Sequence, residues 1–191
     1  MKKILYFDTE TTGLDPVKQD IIQIAGIIVI DGIVQEEFEF KVKPFSFDNI
    51  SQEALDVHGY NVENLKTFPE PHEVHCQLID IFSKYVDRYD TNDKFTPAGY
   101  NVHFDMDFLQ QFFIKNNDVY FGSWMNWKKV DPLPLLHYLD FCGRISLPNY
   151  KLSTVCQHFG IEIKAHDALG DIKATRELLA KLMNYFQERK L

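Results

Sequence analysis

Cysteine is scarce in this chain of 191 residues: Cys76, Cys142 and Cys156 are odd in number, widely spaced and without a CxxC pair. Nothing here indicates a disulfide framework or a thiolate zinc site, and three core thiols are expected. Long apolar runs are absent as well. No uncharged stretch reaches membrane-spanning length, and only Ile4 to Phe7 separate Lys2-Lys3 from Asp8, far short of a signal-peptide core. A soluble, cytoplasmic protein without a membrane partner is expected. Positive charge is the third shortage. At a net −8 the chain lacks the broad basic surface of a generic nucleic-acid coat. The deficit is uneven: residues 1–120 hold 10 Lys+Arg against 21 Asp+Glu, whereas residues 121–191 hold 10 against 7. A polyanion-binding surface should therefore draw on the C-terminal third. Repeats, low-complexity tracts and linkers are missing too, and at 45% hydrophobic residues the length suits one core. A single domain over residues 1–191 is expected.

What is present begins with an apolar run, Ile4-Leu5-Tyr6-Phe7, that reads as a buried strand ending in Asp8-Thr9-Glu10-Thr11-Thr12-Gly13. Strand side chains alternate, so Asp8 and Glu10 share a face if the extended conformation persists that far. Two adjacent carboxylates repel and raise one pKa, a cost that a divalent cation with oxygen ligands would remove. The alternative is an acidic strand end dissolving into the turn at Thr11 to Pro16. Ile21 to Ile30 reads as a second strand, Asp31-Gly32 as a hairpin turn, and Ile33 to Val42 as a third strand with one wet face. Pro44 to Pro71 reads as irregular, apart from a short helix at Ser51 to Val57 capped by Ser51. An amphipathic helix from about Glu73 to Tyr89, a short strand at Thr96 to Tyr100 and a helix starting at Asp105 follow. A polar and aromatic connection over 116–130 leads to a short strand at Val130-Asp131. Helices are then expected over Leu133–Phe141, Lys151–Phe159 and Asp167–Gln187. A strand meander followed by strands alternating with helices implies an α/β domain, a mixed β-sheet flanked by α-helices.

Two more acids could join the first pair. Asp105 follows a strand end, where α/β sheets gather ligands, although a helix N-cap is the commoner role for an Asp so placed. Asp171 falls about one turn into the last helix, where a solvated acid is the ordinary reading. Taken in order, the motifs resemble those of the His-type DEDD (DnaQ-like) 3′-to-5′ exonuclease family. They are DxExTG at Asp8 to Gly13, Tyr-Asn-x-x-Phe-Asp at Tyr100 to Asp105, and HxAxxD at His166 to Asp171. Similarity at Ala54 to Gly59 and at Val130-Asp131 extends the resemblance over about residues 4 to 180.

The resemblance implies an RNase H-like fold in which Asp8, Glu10, Asp105 and Asp171 hold two divalent ions, Mg²⁺ or Mn²⁺, with Asp8 bridging them. Hard oxygen ligands suit these ions rather than zinc, and two ions about 4 Å apart can activate a nucleophile and stabilise a leaving oxygen. It further implies that His166 is the general base, a role that an imidazole with an unperturbed pKa near 6.5 suits. Thr11, Thr12, Gly13, Leu14 and Asn101 would bind the terminal nucleotide. The implied reaction releases nucleoside 5′-monophosphates from the 3′ ends of single-stranded DNA or RNA. DNA is favoured, short RNA is the alternative, and a DNA polymerase or homodimer partner is left open.

Two other classes compete. An aspartyl-phosphate phosphatase would place a second Asp where Glu10 stands, and a catalytically silent binding module would not need all five catalytic side chains. Trp124, Trp127, Lys128, Lys129 and Arg144 interleave basic and aromatic residues in the less acidic third, which suggests a substrate rim that stacks bases and attracts phosphates. The opposite expectation is that both tryptophans are buried. His58 and His103 receive no role.

Overall fold

Strand β1 (Lys3–Thr11) runs on beyond its apolar segment and carries both acids in extended conformation. Leu5, Phe7, Thr9 and Thr11 are buried on one face, while Ile4, Tyr6, Asp8 and Glu10 are partly covered on the other. The structure, a computed structural model, describes residues 1–163 and 168–188. β2 (Ile21–Ile30) pairs antiparallel with β1, and β3 (Ile33–Lys41) antiparallel with β2. The short β4 (Thr96–Ala98) joins β1 in parallel, so the mixed sheet has the order β3-β2-β1-β4. Asp31 and Gly32 both take positive φ, 48° and 87°, as the tightest hairpin turns require. The strand expected at Val130-Asp131 is a single parallel bridge from Val130 to Ala98.

Seven helices among the described residues clothe the sheet: α1 (Gln52–His58), α2 (Val62–Lys66), α3 (Pro71–Ser83), α4 (Val102–Lys115), α5 (Pro132–Phe141), α6 (Leu152–His158) and α7 (Ala168–Glu188). Val74, Leu78 and Phe82 of α3 and Phe108, Leu109 and Phe112 of α4 pack in one cluster with Leu5 and Phe7. Ala168 and Ile172 of α7 cover the opposite face, against Ile4, Tyr6 and the β2 residues Ala25, Ile27 and Val29. Farther along, Leu178 and Leu182 of α7 pack with Leu136 and Leu139 of α5 and Val155 of α6. β2, covered on both faces, is buried along almost its whole length. No helix among the described residues is long and apolar enough to cross a membrane.

Some boundaries differ from expectation for identifiable reasons. Helix α3 starts at Pro71, whose fixed φ suits the first helical position, and it stops at Ser83 rather than near Tyr89. Tyr85 and Val86 still pack on the core from the following turn, so their spacing imitates a further helical turn. Helix α2 went unanticipated because its signal is a capping box made by two asparagines, Asn61 and Asn64, around a single buried leucine, Leu65. Helix α4 starts at Val102 and not at Asp105. Only Cys156 is a core thiol; Cys76 and Cys142 are exposed.

Gly26 lies opposite both Phe7 on β1 and Phe38 on β3, and a Cβ there would fall 2.3 Å from the Phe38 ring. Overpacking of this kind costs about 1–3 kcal/mol. Gly26→Ala should therefore lower the urea midpoint with an unchanged m-value, and adding Phe38→Leu should restore part of the loss. An unchanged midpoint in the single variant would mean that the ring moves aside freely.

Candidate active site

β4 stops at Ala98, opposite Tyr6. Beyond that point no strand of the described residues lies beside this edge of β1, and its backbone groups need other partners. Thr9 N–H finds one in Asp105 Oδ1 at 3.0 Å, and Thr9 Oγ1 donates to the same oxygen at 2.7 Å. Asp105 is therefore not the N-cap of α4: its carboxylate is drawn across to β1. The connection passes so close that a Cβ on Gly99 would lie 2.8 Å from the Phe7 carbonyl.

The start of α4 is held by Asp131 instead. Its Oδ1 accepts from Asn101 N at 3.1 Å and from Leu133 N at 2.9 Å, and its Oδ2 accepts from Val102 N at 3.1 Å. One carboxylate thus secures the first turns of both α4 and α5. Asn101 takes a left-handed conformation, φ 56° and ψ 39°, which asparagine tolerates better than most residues.

On the opposite face Asp171 occupies the first turn of α7 and lines a small cavity with Asp8, Gly99, Tyr100 and Thr175. Burial is the main cause that lifts Asp8 well above the usual carboxylate range, and the charges of Asp105, Glu10 and Asp171 add to it. Glu10 is pushed up to about 7 by burial and then by Asp171. Asp105 is also pushed up to about 7 by burial, against the pull of the two Thr9 hydrogen bonds and with Glu10 adding to the rise. Among the described residues no lysine or arginine forms an ion pair with Asp8, Glu10 or Asp105. An all-oxygen set whose members repel one another fits a hard divalent cation such as Mg²⁺ or Mn²⁺.

Next to the acids, Thr11, Thr12 and Gly13 are buried in a tight turn, and Leu14 is 83% exposed. Thr11 Oγ1 donates to Gly13 O at 2.6 Å, and Thr12 Oγ1 accepts from Asp20 N at 2.9 Å, so both hydroxyls serve the turn. Gln19 fills the space beside Gly13 and donates to Thr12 O at 3.2 Å. Of the four, Leu14 is the side chain presented to solvent. His166 lies outside the described residues.

The expected rim needs one correction. Trp124 is 1% exposed and belongs to the core, packed near Phe82 with the Arg88 guanidinium over its ring. Trp127, at 69% exposed, and Lys128, Lys129 and Arg144 do face solvent. Lys129 Nζ lies 2.8 Å from His103 Nδ1, which brings a cation to the first turn of α4. Thr9 and Asp131, the residues that aim Asp105 and fix its helix, were assigned no role from the sequence. Thr9 was legible only as the residue between two acids, and Asp131 only as the end of a short strand that shares in the family resemblance.

Residues 5–179 match the family model RNase_T, described as "Exonuclease". Two curated relatives are PolC-type DNA polymerase III proteins: that of Oceanobacillus iheyensis is 30% identical over 189 residues, and that of Bacillus subtilis 28% over 187. These alignments cover 97% and 96% of the chain but only 12% of each relative. E. coli exonuclease I superposes in a complex with a dT13 oligonucleotide (TM-score 0.76, 21% identity, 97% of this chain and 43% of that one). It also superposes in a zinc-bound form with single-stranded DNA (TM-score 0.79, 23% identity, 99% and 42%). At such identities the superpositions establish the α/β, RNase H-like fold, and the family match supplies the rest: the chain belongs to the RNase_T exonuclease family.

Proposed function

We propose that this chain is a metal-dependent 3′-to-5′ exonuclease that removes nucleoside 5′-monophosphates from single-stranded nucleic acid, DNA in preference to RNA. The observation that carries the reading is the convergence of Asp8 and Glu10 from β1, Asp105 from α4 and Asp171 from α7. The preference for DNA is supported by the relatives, which are DNA polymerases or are seen with DNA oligonucleotides. A DNA polymerase or a second copy of the chain is the proposed partner.

Asp8, Glu10, Asp105 and Asp171 would hold two Mg²⁺ or Mn²⁺ ions. Such ions, when bound, supply Lewis-acid stabilisation of the attacking water and of the leaving 3′ oxygen. Asp8, which feels the charge of the other three acids, would serve both ions. Thr9 keeps the Asp105 carboxylate pointed at the strand end by two hydrogen bonds to one oxygen, leaving the other oxygen for a ligand. His166, five residues before Asp171 in the motif, takes the proton of the attacking water. Leu14 packs on the terminal base, beside Thr11, Thr12, Gly13 and Asn101. Trp127, Lys128, Lys129 and Arg144 receive the preceding phosphates and bases.

The test is a product ladder on matched 3′- and 5′-labelled DNA and RNA oligomers in Mg²⁺ or Mn²⁺. Mononucleotides should leave the 3′ end, DNA faster than RNA, and Asp8→Ala or Asp171→Ala should abolish release while leaving the fold intact. Full activity in either variant would remove the site. Thr9→Val removes one of the two donors to Asp105, and losing such a supporting hydrogen bond typically costs about 10–100-fold in metal affinity or activity. The metal concentration for half-maximal rate should rise accordingly; an unaltered metal dependence would show that the backbone donor suffices.

The raised carboxylate pKa values also make a stability prediction. Asp8, Glu10 and Asp105 bind protons more tightly when folded than when unfolded, so their contribution is complete below about pH 4 and is lost as pH rises towards and through about 7. His75, whose pKa is lowered mainly by burial, opposes this trend. In chelator, the Tm of the parent should therefore fall relative to that of Asp8→Asn between pH 5 and pH 8, and Mg²⁺ should close the gap. A constant difference across that range would contradict the electrostatic account.

A further inference from the structure

A second group of metal-ligating side chains lies on α3, the helix that packs with α4 against the Leu5 and Phe7 face of β1. α3 opens Pro71-His72-Glu73-Val74-His75-Cys76. Val74 and Leu78 point into the core, and His72, His75 and Cys76, at i, i+3 and i+4, share one side of the helix. One ring nitrogen from each histidine and the Cys76 sulfur lie within 4.8 Å of one another. The Cys76 Sγ to His72 Nε2 separation is 3.7 Å. Tetrahedral zinc, with Zn–N about 2.0–2.1 Å and Zn–S about 2.3 Å, sets nitrogen and sulfur ligands about 3.5 Å apart. The Cys76 and His72 pair thus stands close to ligand spacing already, with His75 within 4.8 Å of both.

His75 is the least ordinary member. It is 8% exposed, and its buried Nε2 is paired with Asp118 Oδ2 at 3.3 Å. The ring is fixed edge-to-face on Phe113, 4.8 Å between centroids. Asp118 is fixed in turn, since its N–H donates to Phe113 O at 2.9 Å and its Oδ1 accepts from Tyr120 N at 2.8 Å.

We propose that His72, His75 and Cys76 form a mononuclear zinc site with one coordination position open to water, and that Asp118 orients His75 within it. Two imidazoles and a thiolate select a borderline-soft ion such as Zn²⁺, whereas the all-carboxylate cluster selects Mg²⁺ or Mn²⁺. The two sites are therefore separable by the choice of metal. His72 and Cys76 are exposed, so an ion can reach the site without opening the core.

Co²⁺ is the probe. The full chain, stripped with chelator and held in excess Mg²⁺, should take up one equivalent of Co²⁺ and show a near-ultraviolet thiolate-to-cobalt charge-transfer band and tetrahedral visible bands, all erased by one equivalent of Zn²⁺. Cys76→Ser should remove the charge-transfer band. Asp118→Asn should weaken Zn²⁺ binding by about 10–100-fold, the usual effect of losing a carboxylate behind a ligand histidine. Asp8→Asn should leave every band unchanged. The proposal fails if the parent shows no charge-transfer band, if the band survives in Cys76→Ser, or if it is lost in Asp8→Asn.

Discussion

A backbone hydrogen bond denied to one strand organises the acidic centre. β4 is three residues long, so β1, paired with β2 on one edge, continues past Ala98 with no strand of the described residues on its other edge. A buried N–H in that position must find an acceptor elsewhere. Thr9 finds Asp105, and the helix carrying Asp105 must therefore approach the strand end closely. Gly99 permits that approach, since any Cβ there would press on the Phe7 carbonyl. The short strand, the glycine, the left-handed Asn101 and the inward-turned Asp105 form one chain of consequences, and each would be anomalous without the others.

The electrostatic outcome is unfavourable by itself. Burial raises the pKa values of Asp8, Glu10 and Asp105, and the neighbouring charges, Asp171 among those acting on Asp8 and Glu10, raise them further. The surrounding fold carries that cost through apolar layers on both faces of β1 and β2, which leave little freedom for the acids to separate. Strain concentrated at a site and supported by a well-packed frame is a common arrangement where a bound cation is to provide the missing attraction.

The strands and the acids were legible early because their signals are local. An apolar run marked β1 and a β-branched run β2, Asp31-Gly32 marked the hairpin, and the spacing of Asp8 and Glu10 placed them on one face. Tertiary relations were less legible. That Asp105 turns towards Thr9 instead of capping its helix depends on where β4 ends, which no window of sequence reports. Trp124 looked like part of a basic and aromatic patch because Trp127, Lys128 and Lys129 follow it closely, yet its own ring packs near Phe82 in the core. The cysteine pattern hid the group on α3 because two of its three donors are histidines.

The two hydrogen bonds that Asp131 accepts from the start of α4 and the one it accepts from α5 make α5 a strut between the two faces of the sheet. One end of the strut fixes the turn from which Asp105 projects. Its flank, through Leu136 and Leu139, is packed with Leu178 and Leu182 of the helix that carries Asp171. Asp105 and Asp171 come from opposite sides of the sheet, but their spacing is gauged by a common element. A change of volume beneath α5 would thus be felt as a change in the width of the acidic cluster.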